Sequence, residues 1–375
     1  MVQSHDRASQ LLAASSMMQF QSDDAGAERL PILCQESATD PLSDVLRTVK
    51  LTGAVFHLVD ASFPWGVEVP PAHAYSSIIL PHAQHIVSYH IILKGSGWAI
   101  MPGVASKRFE AGDILVLANG ERYRLLSSPE QEPEYDADAT VAFFREWVAG
   151  KLPFVTREGG GGAGGTEYLC GFLGCDMQPF NPVLAALPPL IHVERSRRND
   201  LLGPLLDLTL TEARLPRAGG ESIRLRLSEL IFVEVVRQYL ESLPAHETGW
   251  LAGLRDPSIG KALALLHERP AHPWTLNGLA REVGMSRAAF AARFAHLVGH
   301  SPMEYLTLWR MQVAARLLAD GLKKVATIGR EVGYGSEAAF SRAFKKKVGA
   351  SPATWRSRSA RARRPSPREG SREPR

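Results

Sequence analysis

The sequence predicts a multidomain α+β protein whose N-terminal part is a β-barrel followed by helices and whose C-terminal part is all-α. Two observations favour this fold class. Short apolar runs separated by turn residues fill the region after Leu51, a pattern typical of an antiparallel barrel or sandwich. The stretch from Trp274 to Arg356 contains one sequence pattern twice, which indicates two copies of a single supersecondary unit.

Composition excludes several classes of protein. The chain has 375 residues, of which 45% are hydrophobic, and is therefore long enough for two or three globular domains. No apolar run approaches the roughly 18 residues of a membrane span, and the N-terminus lacks a secretory leader pattern, so we expect a cytoplasmic protein without a membrane partner. Three cysteines, Cys34, Cys170 and Cys175, are too few for a disulfide framework.

Charge divides the chain into two parts. From Leu251 onward there are 23 Lys and Arg against 9 Asp and Glu, whereas the first 250 residues carry 20 against 30. A basic C-terminal part after an acidic N-terminal part predicts that only the C-terminal part contacts a polyanion.

The N-terminal region begins with a predicted flexible arm, residues 1–39, which shows no sustained hydrophobic period. Asp40 and Pro41 then supply an N-cap and a first-turn proline for a short helix. We expect a β-rich domain over residues 40–198, with strands at Ala54–Val59, Gly66–Val69, Ile86–Leu93, Trp98–Met101, Ile114–Leu117 and Tyr123–Leu126. The glycine-rich segment 159–165 lacks the Gly-Lys-Ser/Thr ending of a phosphate loop and is interpreted as a flexible excursion.

Helices follow the β-rich domain. Residues 199–215 and 221–242 carry helical periodicity and form a predicted helical pair over residues 199–243, followed by a linker over residues 244–255. The second helix has an apolar face wider than one barrel needs to cover it. It either packs against its own barrel or forms the seam of a homodimer, and both interpretations remain open.

The duplicated stretch has the order helix, glycine-containing turn, helix. In the first copy a short helix ends at Gly284, Ser286 caps the next helix, and Phe290 and Phe294 share its buried side. This order is typical of a helix-turn-helix, whose second helix enters the major groove of DNA. The two copies occupy residues 275–296 and 325–347.

A long helix is predicted between the two copies. Ser301, Pro302 and Glu304 form a capping box with a proline in the first turn, and Gly321 closes the helix after Asp320. About twenty residues span roughly 30 Å, close to the ~34 Å turn of B-DNA. Such a strut places two recognition helices in successive major-groove segments on one face of the duplex.

The second copy, from Gly333 to Arg356, closely resembles the signature of the AraC/XylS family of bacterial transcription regulators. The matching residues are Gly-Tyr-Gly-Ser-Glu-Ala-Ala-Phe-Ser-Arg-Ala-Phe, followed by Val-Gly-Ala-Ser-Pro and Trp355. The resemblance implies a DNA-binding domain over residues 256–356 that recognises double-stranded promoter DNA sequence-specifically and acts with RNA polymerase. The last segment, residues 357–375, is interpreted as a disordered basic tail.

The β-rich domain resembles the cupin barrels. The resemblance rests on the segments Tyr89–Trp98 and Phe109–Gly120 and, for the sensor domain of one AraC/XylS branch, on Cys170–Pro182. At the positions where metal-binding cupins carry ligands, this chain has His82, Gln84, Ser88 and Tyr123. Only one expected ligand remains, so we expect no metal, no cofactor and no enzymatic activity.

The resemblance implies instead that the β-rich domain binds a small-molecule effector. Candidate effector contacts are His82, His90, Trp98 and Tyr123. Two alternatives remain open. One is a cupin-type metal enzyme fused to a DNA-binding domain, and the other is a regulator that has no effector and is controlled by its concentration alone.

The residues that contact DNA are predicted from helical periodicity. With Phe290 and Phe294 inward, the outward face of the first recognition helix carries four alanines, flanked by Arg287 and Arg293 near the phosphate backbone; they are Ala288, Ala291, Ala292 and Ala295. With Phe340 and Phe344 inward, the second recognition helix carries Glu337, Ala338, Ser341, Arg342 and Lys345. Because the alanine face offers no hydrogen bonds, we predict that the second unit performs most hydrogen-bonded readout, with Arg342 contacting either guanine or phosphate.

Overall fold

The structure is a computed structural model that describes residues 40–48, 51–195, 201–215, 217–244 and 246–362. The predicted flexible arm, residues 1–39, and the end of the predicted basic tail, residues 363–375, lie outside the described residues. A β-rich domain followed by helices precedes an all-α domain, so the predicted fold class is confirmed.

Ten strands are present in the described chain, and all six predicted strands are among them. They are β1 Leu51–Ser62, β2 Gly66–Val69, β3 His85–Lys94, β4 Ser96–Met101, β5 Val104–Glu110, β6 Ile114–Leu117, β7 Tyr123–Leu126, β8 Val155–Gly159, β9 Gly165–Cys175 and β10 Leu190–Val193. A six-stranded sheet has the order β10-β6-β3-β9-β1-β8, and a four-stranded sheet has the order β2-β7-β4-β5. The named strands pair antiparallel, except that β1 and β8 run parallel.

Both faces of the six-stranded sheet are buried. Consecutive side chains of a strand point to opposite faces. Ile86 and Phe172 therefore join the core between the two sheets, whereas their neighbours Val87 and Leu173 join a second core beneath helices. This double burial explains why β3 and β9 are long and almost continuously apolar.

The glycine-rich segment 159–165 joins β8 to β9 and is held against the turn that follows β1. Gly160 N donates to Pro64 O at 2.8 Å, and Gly162 N donates to Phe63 O at 2.8 Å. A Cβ on Gly162 would lie 2.5 Å from Phe63 O, so only glycine permits this approach. The segment predicted as a flexible excursion is therefore anchored by backbone hydrogen bonds.

Fourteen α-helices are present among the described residues. The N-terminal part contains α1 Pro41–Thr48, α2 Ser76–Ile79, α3 Ala137–Val148, α4 Pro182–Ala186, α5 Leu202–Arg214 and α6 Gly220–Ser242. The C-terminal part contains α7 Trp250–Arg255, α8 Pro257–Glu268, α9 Leu276–Glu282, α10 Arg287–Val298, α11 Pro302–Asp320, α12 Val325–Glu331, α13 Glu337–Val348 and α14 Pro352–Ala362. None of these helices is both long enough and apolar enough to cross a membrane.

The predicted helical pair is formed by α5 and α6, and α6 packs against the six-stranded sheet. Leu227, Ile231 and Val235 of α6 are buried. Tyr89 Oη of β3 lies 2.9 Å from Ser228 Oγ of α6. Helix α6 therefore covers its own barrel, as one of the two interpretations predicted.

A second apolar face of this helical pair is uncovered in the single chain. Leu208 of α5 is 50% exposed, and Ile223 and Leu230 of α6 are 40% and 51% exposed. The dimer seam therefore stays a prediction, and the two interpretations do not exclude each other.

The segment predicted as a linker, residues 244–255, contains α7 and belongs to the C-terminal domain. Trp250, Leu251 and Leu254 are buried where α7 packs on α8 and α10. Gly249 N donates to Leu297 O at 2.8 Å. The linker prediction is wrong for residues 250–255, because their apolar side chains complete the core of the first helix-turn-helix unit.

The C-terminal domain extends past the predicted boundary at residue 356. Helix α14 runs to Ala362, so residues 357–362 of the predicted disordered tail are helical. Ser351 Oγ accepts from Thr354 N at 3.1 Å, and Trp355 Nε1 donates to Ala315 O of α11 at 3.1 Å. These contacts fix the start of α14, and the Ser, Arg and Ala residues that follow do not break a helix.

The two domains share one hydrophobic core. The segment between β9 and α4 places the Phe180 ring edge-on against Tyr305 of α11, with ring centroids 5.6 Å apart. Phe180 N also donates to Gln312 Oε1 at 2.9 Å. Because β9 leads directly into this segment, only a few residues separate the barrel from the contact with α11.

A buried polar cluster lies next to this junction. Trp250 Nε1 donates to Tyr305 Oη at 2.7 Å, and His267 Nε2 lies 2.8 Å from the same oxygen. His267 stacks on Trp309 with ring centroids 3.9 Å apart. Burial lowers the pKa of His267 from 6.5 to about 3, so the imidazole is neutral.

The neutral state of His267 predicts a pH dependence of folding. Between pH 6.5 and about 3 the unfolded chain protonates this imidazole and the folded chain does not. The free energy of unfolding therefore falls as the pH is lowered through this window. The wild-type chain takes up about one proton at His267 when it unfolds in this window, and the His267→Gln chain does not. The urea midpoint of His267→Gln should therefore shift less than that of the wild type between about pH 7 and about pH 5.

The exposed His246 provides the matched control. His246→Gln should leave the pH dependence of the urea midpoint as it is in the wild type. A His267→Gln protein with an unchanged pH dependence would contradict a neutral, buried imidazole.

Candidate DNA interface and barrel cavity

The first helix-turn-helix unit consists of α9 and α10. Thr275 Oγ1 accepts from Gly278 N at 3.0 Å at the start of α9, and Ser286 Oγ accepts from Ala289 N at 3.3 Å at the start of α10. Gly284 in the turn has a φ of 69°, a conformation that favours glycine. The predicted cap and the predicted turn glycine are both present.

The second unit, α12 and α13, repeats this arrangement with a turn that is one residue longer. Ser336 Oγ accepts from Ala339 N at 3.2 Å, and Gly333 has a φ of 87°. The turn spans residues 332–336, against residues 283–286 in the first unit. The fully buried pairs are Phe290 with Phe294 and Phe340 with Phe344, as predicted.

Helix α11 joins the two units and ends at Asp320, before Gly321, as predicted. Ser301 Oγ accepts from Glu304 N at 3.4 Å. The Glu304 carboxylate, which the capping box predicted to turn back toward Ser301, lies 3.2 Å from Lys347 Nζ of α13. This ion pair links the long helix to the second recognition helix.

The outward faces of the two recognition helices carry different chemistry. Along α10, Arg287, Ala288 and Ala292 are exposed and Ala291 is half-buried. Along α13, Glu337, Ala338, Arg342 and Lys345 are exposed and Ser341 is half-buried. The two helices have the same length and the same inward pair, so Arg342 occupies the position of Ala292. The contacts of these residues with DNA stay predictions.

Arg293 is engaged within the protein. Its Nε lies 2.7 Å from Asp256 Oδ2, and its Nη2 contacts the same oxygen. Asp256 Oδ1 also accepts from the backbone at the start of α8. A phosphate contact by Arg293 would therefore compete with an ion pair that anchors α10 to α8, which sequence spacing did not indicate.

His296 belongs to the same outward face and was missed in the sequence. It is exposed and follows Ala292 by one helical turn. The four-residue spacing between Ala292 and His296 in the sequence indicates that both lie on the same side of the helix.

A cavity lies between the two sheets of the barrel, beneath α3. It leaves about 30 Å³ of open space, which is room for about two water molecules. Valine and aromatic side chains form most of its wall. Its polar and ionisable wall residues include His57, His90, Tyr123, Thr140, Glu158 and Cys170.

Two of the four predicted effector contacts line this cavity. His90 Nε2 lies 2.8 Å from Tyr123 Oη, and His90 Nδ1 lies 3.2 Å from Cys170 Sγ. His82 is exposed before β3, and Trp98 of β4 points away from the barrel interior because alternate residues of a strand face opposite sides. The structure therefore does not bring His82 or Trp98 to the cavity.

Two ionisable cavity residues, His57 and Glu158, were not among the predicted contacts. Burial lowers the pKa of His57 to about 3, and its Nδ1 has no hydrogen-bond partner among the described residues. Burial, followed by the nearby Glu134 carboxylate, raises the pKa of Glu158 to about 7. Successive side chains of a strand point to opposite faces of the sheet, and this alternation along β1 and β8 predicts that His57 and Glu158 point into the barrel.

The positions that carry metal ligands in cupins have other roles here. Gln84 Oε1 accepts from Met177 N at 3.2 Å and from Gln178 N at 3.0 Å. Ser88 Oγ lies 3.2 Å from Tyr75 Oη. Within the described ranges, no three His, Cys, Asp or Glu side chains are grouped so that they could hold a metal ion.

Comparison with known proteins identifies both domains. A cupin family profile matches residues 40–241, and a helix-turn-helix domain profile matches residues 279–358. An AraC-like transcription regulator of Streptomyces lividans is 32% identical over 324 residues, which cover 84% of this chain and 98% of that protein. The HTH-type transcriptional regulator AlkR of Acinetobacter baylyi is 30% identical over 280 residues, which cover 74% of this chain and 90% of that protein.

A solved structure is also similar to part of this chain. The DNA-binding domain of AdpA in complex with a target DNA is 30% identical, covers 29% of this chain and 96% of that chain, and gives a TM-score of 0.28. The cupin match spans more than half of the chain, and the two regulators extend over both domains. The chain therefore belongs to the AraC-like family of transcription regulators, with an N-terminal cupin domain and a C-terminal helix-turn-helix DNA-binding domain.

Proposed function

We propose that this transcription regulator reads its promoter mainly through the second helix-turn-helix unit and is controlled by a small molecule bound in the cupin domain. The unequal division of promoter recognition is supported by one difference between the helices. Arg342 is exposed on α13, and the equivalent position of α10 is Ala292. Both relatives are named as regulators, which supports a role without catalysis. RNA polymerase is the expected partner at the promoter.

The side chains of α13 match the chemistry of base edges. An arginine offers two N–H groups to O6 and N7 of guanine, and Glu337 has an acceptor for N4 of cytosine. The alanine methyl groups of α10 neither donate nor accept, so they contact thymine methyl groups at most. In this proposal the first unit docks closely on the duplex, and Arg287 adds a phosphate contact.

Control by an effector is supported by the path of the polypeptide, because a strand that lines the cavity leads directly to the contact with the DNA-binding domain. Cys170 and Phe172 of β9 line the cavity, and the same strand leads to Phe180 at the junction with Tyr305. A ligand that displaces β9 therefore also displaces Phe180. A homodimer through the exposed face of α6 would bring two DNA-binding domains to one promoter.

Arg342→Ala tests the unequal division of readout. We expect promoter affinity to fall about 10- to 100-fold, because a bidentate arginine–guanine pair contributes about 1–3 kcal/mol. We also expect the loss to disappear when one particular base pair of the site is already substituted. Fluorescence anisotropy with promoter DNA selected by the protein, substituted at each position in turn, measures both effects.

Arg287→Ala is the matched variant in the first unit. A phosphate contact predicts a uniform loss across all substituted promoters and a shallower dependence of affinity on salt. Equal and position-specific losses from both variants would contradict the asymmetry. A uniform loss from Arg342→Ala would assign that residue to phosphate instead of guanine.

A further inference from the structure

The charged residues that line the barrel cavity distinguish between positively and negatively charged ligands. Glu158 is the acid of its wall, and no lysine or arginine is among the described residues that line it. His57 and His90 add no positive charge, because burial lowers the pKa of each imidazole to about 3. The pKa of Glu158 is raised to about 7, so its carboxyl is ionised above that pH, and a carboxylate brought into this space would then meet it without a counter-charge. The cavity therefore disfavours anions.

One wall residue also lacks a hydrogen-bond partner. The His57 side chain is buried, with 4% of the residue exposed, and no group in the described chain bonds to its Nδ1. An unpartnered buried nitrogen is unfavourable unless a ligand or water bonds to it. A ligand that donates hydrogen bonds satisfies this nitrogen.

Aromatic rings complete an environment that attracts a cation. The centroid of the His57 ring lies 5.2 Å from that of Phe143 and 4.9 Å from that of Trp147. Of these two partners Phe143 lines the cavity, and Phe144, Tyr168 and Phe172 line it as well. The faces of aromatic rings carry partial negative charge and attract ammonium groups within about 6 Å.

We infer that the barrel cavity binds a small organic ammonium ion, with Glu158 as its counter-charge and His57 Nδ1 as a hydrogen-bond acceptor. This assignment rests on the proposed function, because it names the chemical class of the effector. The open space of about 30 Å³ limits the bound group to a few heavy atoms. A neutral apolar ligand would satisfy neither Glu158 nor His57.

Ethylammonium, acetate and ethanol test this assignment on the full-length protein, because they share a two-carbon skeleton and differ in charge. At matched ionic strength we expect only ethylammonium to raise the melting temperature, by about 1–2 °C at about ten times its Kd. Glu158→Gln should abolish this rise. Glu134→Gln should keep it, because Glu134 lies near Glu158 but outside the cavity wall.

Equal rises with all three probes, or no rise with any of them, would overturn the assignment. This comparison uses the wild-type protein and does not depend on the folding of a variant. Promoter affinity with and without ethylammonium separates the site from its regulatory role. A melting shift without any change in promoter affinity would keep the ammonium site and contradict effector control through it.

A different feature, Arg310 in the middle of α11, connects the two helix-turn-helix units. Its Nε donates to Pro270 O at 2.6 Å, and its Nη2 donates to His272 O at 2.9 Å. Both carbonyls lie between α8 and α9, next to the first unit. The guanidinium is also 6.0 Å from the ring centroid of Tyr334, in the turn of the second unit.

The turn of the second unit rests against the same segment. A Cβ on Gly333 would lie 2.8 Å from Ala271 O and 2.9 Å from Arg310 Nη2. We propose that Arg310 is a positioning residue that fixes the angle between the two recognition helices and, through it, the distance between their contacts on DNA. A guanidinium suits this place because it combines paired donors with a face that packs on an aromatic ring.

Hydroxyl-radical footprinting on a promoter fragment measures this distance, because it reports backbone contacts of both units. The wild-type protein should protect two short segments at one sharp separation. In Arg310→Met the protection by the first unit should weaken and spread over about one or two further base pairs, while that by the second unit stays in place.

Arg316→Met is the matched control, because Arg316 is an exposed residue of the same helix. It should give the wild-type footprint. A wild-type footprint from Arg310→Met would overturn the positioning role. If that variant does not fold, Arg310→Lys, which keeps the charge without the paired donors, provides the same comparison.

Discussion

The arrangement of the two domains depends on the buried hydroxyl of Tyr305 in α11. It accepts a hydrogen bond from Trp250 of α7 and bonds to His267 of α8, while its ring contacts Phe180 from the cupin domain. Three segments that are distant in sequence thus meet on one side chain. Because a buried polar group without its partner costs about 1–3 kcal/mol, this cluster holds the three segments in one relative position.

The same cluster gives the cupin domain a second attachment to the DNA-binding domain. Asp44 of α1 places Oδ2 3.7 Å from Nδ1 of His267, and α1 packs against α8 and α11. The cupin domain therefore contacts α8 and α11 of the DNA-binding domain through α1 and through the Phe180 segment. The second unit is joined to the first through α11 and Arg310. These contacts form a packed path from the barrel to both recognition helices.

The elements with local signals could be predicted from the sequence, and those formed by distant residues could not. Serine caps, turn glycines and phenylalanines four residues apart define each helix-turn-helix within a short window. Helix α7 was taken for a linker because its burial depends on Tyr305, far along the chain. His57 and Glu158 line one cavity because β1 and β8 are neighbours in the sheet. Trp98 was a predicted effector contact, but strand alternation directs it outward.

Differential scanning calorimetry of Phe180→Ala tests most directly whether the two domains share one core. The wild-type chain should unfold in a single transition, because the cupin domain and the first helix-turn-helix unit both depend on the Tyr305 cluster. Removing the Phe180 ring should separate this transition into two, one for each domain, with the secondary structure unchanged at low temperature. A single transition at the wild-type temperature in Phe180→Ala would contradict a shared core.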